Sequence, residues 1–365
     1  MSFLGGTAAK KASSQDQDVQ ANTPPGDSVS SLCMNGNAQT APTALVATAW
    51  DNSVTCYQIQ QGQAGYGQTP PMAVTKMYEH RHEAPALCCD FSSDSMTVFS
   101  GGCDGVLKQW NISQGPAAVQ AVGRHDQPIR CLKFLQSHNV VVTGGWDKQI
   151  RVWDLRSPTP AMTVGVCERV YAMDCKGDVV VVGTADKQIT VMDIRSQQKQ
   201  PEYKSPLNYQ TRCISIFEDN TGFAVGCIEG RVAIEYYAEM AAKRNPIKPA
   251  GGNNFVFKCH RDKQDIFAVN AIHFHQYNTF VTAGSDGVMA TWDKDSRSRL
   301  ANFDLYNRRV PVADCKFSAN GAFLAYALSY DWSKGSEHAG TYAGMTAIML
   351  HALAPTEIQP KKGNK

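Results

Sequence analysis

Short β-branched and aromatic runs, separated by clusters of Gly, Asp, Asn and Lys, fill the chain from about Leu45 onward, and helical periodicity is nearly absent. The alternation in "QIRVWDL" and "RCLKF" predicts half-buried strands, and "GWDKQ" predicts a tight turn between two of them. Residues 1–40 are rich in Ala, Ser, Gln and Asn, carry "TPPG", and show no period, which predicts a disordered polar tail. Residues 41–352 read as one β domain, and residues 353–365 as a basic C-terminal tail.

The strand-rich text repeats. Aligned on an acid in a tight turn, "ATAWDNSVTCY", "FSGGCDGVLKQW", "VTGGWDKQIRVW", "VVGTADKQITVM", "AVGCIEGRVAIE", "VTAGSDGVMATW" and a looser "YALSYDWSKG" superimpose. The acids are Asp51, Asp104, Asp147, Asp186, Glu229, Asp286 and Asp331, separated by 53, 43, 39, 43, 57 and 45 residues. With insertions at "QQGQAGYGQTPP" and at 238–254, that spacing matches the roughly 40–45 residue period of propeller blades. The fold class expected is all-β, a seven-bladed WD-repeat β-propeller with a disordered N-terminal tail. One twisted sheet cannot bury both faces alone, so the blades must stack radially and close into a ring.

Three copies carry a histidine, a hydroxyl and an indole at matching offsets from the acid: His82, Ser100, Asp104 and Trp110; His125, Thr143, Asp147 and Trp153; His260, Thr282, Asp286 and Trp292. Histidine, hydroxyl and acid together suggest acyl transfer. A nucleophile has no reason to recur three times, however, and no G-x-S-x-G elbow accompanies any set. The expectation is a buried hydrogen-bond chain tying loop to strands, with no catalytic residue, metal or cofactor. His273 and His275 share one side of a strand, but no third ligand lies near in sequence, so they read as a packed or surface pair.

Composition narrows the function class. Lys plus Arg is 35 against 33 for Asp plus Glu, a formal +2, so any nucleic-acid contact is a local patch. The twelve cysteines lie mostly inside apolar runs with no C-x-x-C pair, which predicts small buried hydrophobes. No apolar run reaches the length of a signal peptide core or a membrane span, so an intracellular protein without membrane insertion is expected.

The residues preceding the turn acids share one rim, and among them Trp50, Trp146 and Tyr330 are large aromatics that either anchor a partner or fill the loop layer. The fifth copy breaks the pattern with Val225, Glu229 and Glu235, and Arg231 there offers a fork to a partner carboxylate. Lys294, Arg297, Arg299, Arg308 and Arg309 place five cations within sixteen residues, either a solvated face or a phosphate-binding patch.

"EGRVAIEYY", "FVFKCHR", "AVNAIHFHQYNTFVTAGSDGVMATWDKD" and "SYDWSKG" resemble the WD-repeat messenger-RNA export factors of the nuclear pore, the Rae/Gle family. The sister spindle-checkpoint WD-repeat family is less similar; "GGWDKQIRVWD" and "ATAWDNSVTCY" favour the export factors. The resemblance implies a non-enzymatic adaptor that binds the GLEBS segment of an FG nucleoporin, docks at the pore and assists export of messenger ribonucleoprotein. It also implies nuclear and nuclear-envelope localisation with shuttling to the cytoplasm, and in some lineages a spindle role. The alternative is a checkpoint scaffold that binds GLEBS-like segments of kinases. By the same resemblance Arg231 pairs with acidic GLEBS residues. The resemblance also implies a groove at Phe257, Trp292, Asp293, Lys294, Arg297 and Arg299 that takes single-stranded RNA, weakly, or proteins that imitate it. Trp292 thereby falls both in a buried tetrad and in a groove. The chain departs from the family at Arg299, where lysine is frequent, and at the long 238–254 insertion.

Overall fold

The second strand of every repeat is sealed on both faces, which explains its unbroken apolar text. Ala44–Ala49, Thr97–Gly102, Gly222–Cys227, Thr279–Gly284 and Phe323–Leu328 are buried at each residue. Strands further out meet solvent and alternate, as in Gln149–Asp154 and Met72–Arg81. The computed structural model describes residues 18–62, 72–196, 202–237, 254–304 and 310–360. Within them lie seven four-stranded antiparallel sheets, the seven blades of the expected propeller.

Blades 1 to 6 begin at Val29, Ala86, Ile129, Val170, Thr211 and Val269, and each is built from four successive strands. Blade 7 is different. Its inner three strands are Val312–Phe317, Phe323–Leu328 and Ala347–Ala352, and its outermost strand is Val19–Gln20, paired Val19 to Leu350. The ring is therefore closed by chain ends more than 300 residues apart in sequence. Closure protects the last blade's edge, which would otherwise present unpaired N–H and C=O groups.

This closure corrects two expected boundaries. Residues 18–40 are not a tail: besides Val19–Gln20, Val29–Met34 is the channel-facing strand of blade 1. Residues 1–17 lie outside the described residues. Nor is the segment after 352 a tail at its start, because helix α1, Pro355–Ile358, packs Ile358 into the core between blades 6 and 7. Its last carbonyl accepts a hydrogen bond from the Thr279 hydroxyl at 2.8 Å. Residues 361–365, the 238–253 part of the insertion, Arg308 and Arg309 lie outside the described residues.

Apolar packing is radial. One hydrophobic cluster fills each junction between neighbouring blades, for example Phe99 and Leu107 of blade 2 against Val141 and Trp153 of blade 3. Blade 7 joins blade 1 through Ala325 and Leu350 against Leu45 and Tyr57. No blade has a core of its own, so the seven are one cooperative unit. Eight of the twelve free cysteines are buried among these contacts, and burial pushes the Cys56 thiol up to about 12.

Candidate docking face

Strand order puts the turns between second and third strands, and the links between blades, on one face of the disc. Every turn acid of the repeat is on this face. The residue after the acid is left-handed in all seven blades: Asn52, Gly105, Lys148, Lys187, Gly230, Gly287 and Trp332, with φ from 60° to 74°. Asparagine and glycine suit that conformation. A tryptophan does not, and Trp332 is 47% exposed there. A bulky side chain held at positive φ is a local cost, offset here in part by a 5.5 Å ring contact with Tyr330.

Beneath the turns lie the histidine–acid sets. In blade 3, His125 Nδ1 bonds Asp147 at 2.9 Å and His125 Nε2 bonds the Thr143 hydroxyl at 2.7 Å. The Trp153 indole N–H donates to the same hydroxyl at 2.8 Å. Blade 6 repeats this with His260, Asp286, Thr282 and Trp292, each bond 2.9 Å. Blade 2 does not complete the tetrad. His82 bonds Asp104 at 2.8 Å and Ser100 at 2.9 Å, but the Trp110 indole donates to the Gly115 carbonyl at 2.9 Å. The reason is local: a 3-10 turn at Ile112–Gln114, capped by Asn111, brings that carbonyl back over the ring. Blade 4, where no set was expected, has Cys167 in the histidine's place, 3.4 Å from Asp186 and 3.5 Å from Thr184.

These sets have the connectivity of a hydrolase triad, with burial arguing for a different role. Ser100, Thr143 and Thr282 are all buried, so no carbonyl carbon can approach their oxygens. Gly145 shows how tightly the set is enclosed, since a Cβ there would lie 2.6 Å from His125 Nδ1. Burial lowers the His125 pKa, against the raising effect of its bond to Asp147. The other histidine pair is packed: His273 Nδ1 accepts the Phe317 N–H at 3.1 Å, and the His275 ring meets the Gly321 carbonyl at 2.9 Å.

Blade 5 has no such set, and its turn acid does another job. Glu229 Oε2 lies 3.1 Å from Arg231 Nε, off the bonding axis, so this is an ion pair and not a directed hydrogen bond. Arg261 approaches Glu229 at 3.8 Å and donates to its backbone carbonyl at 2.8 Å. Two guanidiniums share one carboxylate.

The aromatic expectations divide. Trp50 is 42% exposed, Trp146 is half-buried, and both line a cavity of about 580 Å³ at the mouth of the central channel. Tyr330 lines it too but is only 6% exposed. Its ring stacks on Tyr342 at 4.5 Å and its hydroxyl donates to Gly335 at 2.8 Å, so it supports the neighbouring Trp332 instead of presenting itself. Trp50, Tyr209, Ile228, Ile266, Trp332 and Met345 are on this face, six of the ten exposed large hydrophobics among the described residues. The opposite face has Met96 and Tyr277.

The expected nucleic-acid groove is less open than its residue types suggested. Phe257 and Trp292 are 1% and 5% exposed and pack on each other at 4.9 Å between blades 5 and 6. Phe257 offers no face for base stacking, and the little of Trp292 that is exposed edges a second cavity, with the Arg299 guanidinium 6.0 Å from its ring. Trp292 therefore belongs to the tetrad first. Asp293 is buried, accepting hydrogen bonds from Asp295 N–H and the Ser296 hydroxyl. The Lys294 ammonium sits over the Phe217 ring at 5.1 Å and pairs with Asp295 at 2.7 Å; burial would depress its pKa, but the bond to Asp295, with Tyr236 and Asp219 nearby, raises it. Arg297 covers the Phe255 ring at 4.5 Å. Arg299 is exposed and lines that cavity, of about 690 Å³, with Lys258, Arg261, Lys334 and Tyr342. Accessible positive charge thus lies around that cavity, not over Phe257.

The family model for the WD domain, G-beta repeat, matches residues 74–111, 118–154 and 251–293. The chain is 40% identical to protein RAE1 of Arabidopsis thaliana over 98% of its length and 96% of that protein. It is 39% identical to mRNA export factor GLE2 of Chaetomium thermophilum over 95% of its length and 94% of that protein. The poly(A)+ RNA export protein of Schizosaccharomyces pombe is 37% identical, over 95% and 94% of the two chains.

Proposed function

The chain belongs to the WD-repeat mRNA export factor family, and from that premise we propose that it is a non-enzymatic adaptor of mRNA export that binds the GLEBS segment of an FG nucleoporin across its turn face. Association with the nuclear pore, and shuttling between nucleus and cytoplasm, follow from that role. One observation carries the proposal: the turn face concentrates exposed apolar side chains, including Trp50 and the strained Trp332, beside the guanidiniums of Arg231 and Arg261. An extended segment with apolar anchors and acidic residues is the complementary partner. Sealed hydroxyls in the histidine–acid sets favour a scaffold over a hydrolase.

Calorimetric titration of the full chain with a GLEBS peptide tests this reading. Trp332→Ala is expected to weaken binding about thirtyfold, the loss of a central aromatic anchor worth roughly 2 kcal/mol, and Arg231→Glu is expected to weaken it further. Unchanged binding by both variants would remove the basis for this face. Preference for a checkpoint-kinase GLEBS-like segment over the nucleoporin segment would favour the spindle-checkpoint alternative.

A second reading concerns single-stranded RNA. The cavity edged by Lys258, Arg261, Arg299 and Lys334, with Tyr342 beside them, supports weak phosphate-led binding.

A further inference from the structure

Neighbouring blades are joined along the channel by a recurring polar clasp. In blades 2, 4 and 6 the fifth residue of the innermost strand is Asp90, Asp174 or His273. Asp90 accepts the Phe134 N–H at 2.9 Å, Asp174 the Ile216 N–H at 2.8 Å and His273 the Phe317 N–H at 3.1 Å. Each bond crosses a seam to the next blade and gives one of its backbone donors a partner.

The seam between blades 1 and 2 breaks this rule. The fifth residue of the innermost strand of blade 1 is Cys33, and the N–H that a clasp would reach, that of Phe91, donates instead to its own neighbour Asp90 at 3.1 Å. Cys33 Sγ meets Cys89 Sγ at 3.4 Å across the seam. Both sulfurs belong to the apolar packing there, beside Val46, Val54 and Trp110. Burial, and then the bond to Cys89, push the Cys33 thiol well up, so Cys33 is a poor first target for an oxidant. Cys89 lines a channel cavity of about 110 Å³, which has room for a peroxide molecule. Closing from contact to the bonded length of about 2.05 Å is a displacement shared by two side chains.

We propose that Cys33 and Cys89 form a reversible oxidation site, a disulfide staple that stands where the clasp between blades 1 and 2 is missing. A peroxide is the oxidant. Cys89 sulfur takes one of its oxygens and becomes the sulfenic acid, and the first water leaves. Cys33 sulfur then attacks the Cys89 sulfur; the S–S bond forms, the S–O bond breaks, and the departing hydroxide takes the Cys33 proton as a second water. Two thiols give up two electrons, and one peroxide is reduced to two waters. A small thiol such as glutathione reverses the step by exchange. The two cysteines are 56 residues apart, and the loop between them holds the outer three strands of blade 1. The staple therefore restrains the unfolded chain as well as the seam.

The test treats the full chain with hydrogen peroxide in stoichiometric steps, alkylates the remaining thiols, and maps linked peptides by mass spectrometry without reduction. Calorimetry follows melting before oxidation, after it, and after dithiothreitol. The expected first crosslink is Cys33 to Cys89, with a melting temperature raised by about 6 °C and restored by dithiothreitol. Cys33→Ala, which keeps the seam apolar, should melt near the wild type when reduced and show neither the linked peptide nor the rise. Absence of the Cys33–Cys89 peptide, with either sulfur linked elsewhere or carried on to sulfinic acid, overturns the site. A linked peptide without a rise, or an equal rise in Cys33→Ala, overturns its role as a staple.

Discussion

Asp147 separates a scaffold acid from a reactive one, and Asp147→Ala measures the difference. Its carboxylate has 5% side-chain exposure and accepts from His125 Nδ1 at 2.9 Å, from the Gln149 N–H at 3.2 Å and from the Asp126 N–H at 3.3 Å. Arg151 stands 3.4 Å away but keeps other partners in Gln149 and the Arg124 carbonyl. The principal loss is therefore the buried imidazole donor, left unsatisfied at about 1–3 kcal/mol. Unfolding entropy of about 2.1 cal/mol/K per residue over roughly 300 ordered residues gives about 0.6 kcal/mol/K. A 2 kcal/mol loss then lowers the melting temperature by about 3 °C. Differential scanning calorimetry reads that shift, and titration of the same variant with the GLEBS peptide reads function. An unchanged melting temperature together with abolished partner binding would refute the scaffold role.

Three further outcomes follow from the same geometry. Burial pushes the His351 pKa down, but hydrogen bonds to Asp18 at 2.6 Å and Glu357 at 3.1 Å outweigh it and hold the pKa at about 9. Because that value is above the unfolded one near 6.5, about 3 kcal/mol of stability is present below pH 6.5 and is lost as pH rises through 9; denaturant titrations of His351→Gln should lack that slope. Deleting residues 1–27 removes the Val19–Gln20 strand and the Tyr326–Asp18 hydrogen bond of 2.5 Å, so melting should occur at lower temperature and light scattering should report association through the bared edge of blade 7. For RNA, Arg299→Ala should reduce the slope of log binding constant against log salt by about 0.7, whereas Phe257→Ala should act mainly on stability; an unchanged salt slope in Arg299→Ala would exclude Arg299 from the phosphate path.

The two termini show where sequence pattern fails. Val19–Gln20 is too short to carry a strand period, and its partner Leu350 is 331 residues away, so only ring closure makes it a strand. Ile358 looks like the edge of a basic tail until blades 6 and 7 meet and leave a groove for it. Trp332 was hidden by an imperfect last copy of the repeat, whose alignment fixes the acid but gives no sign that a tryptophan occupies a left-handed position. The thiol pair gave no signal either, because Cys33 and Cys89 stand 56 residues apart in different repeats and meet only where blades 1 and 2 pack.

By itself the sequence determined the blade count, the turn that holds each acid, and the pairing of His125 with Asp147, because these depend on local spacing repeated many times. The tertiary structure alone decided exposure and contact: it buried Phe257 and Trp292 between blades, turned Tyr330 inward, and brought Cys33 and Cys89 together at one seam. The physical reason is that spacing along a strand fixes which side a residue faces, while the neighbouring blade decides whether that side meets water.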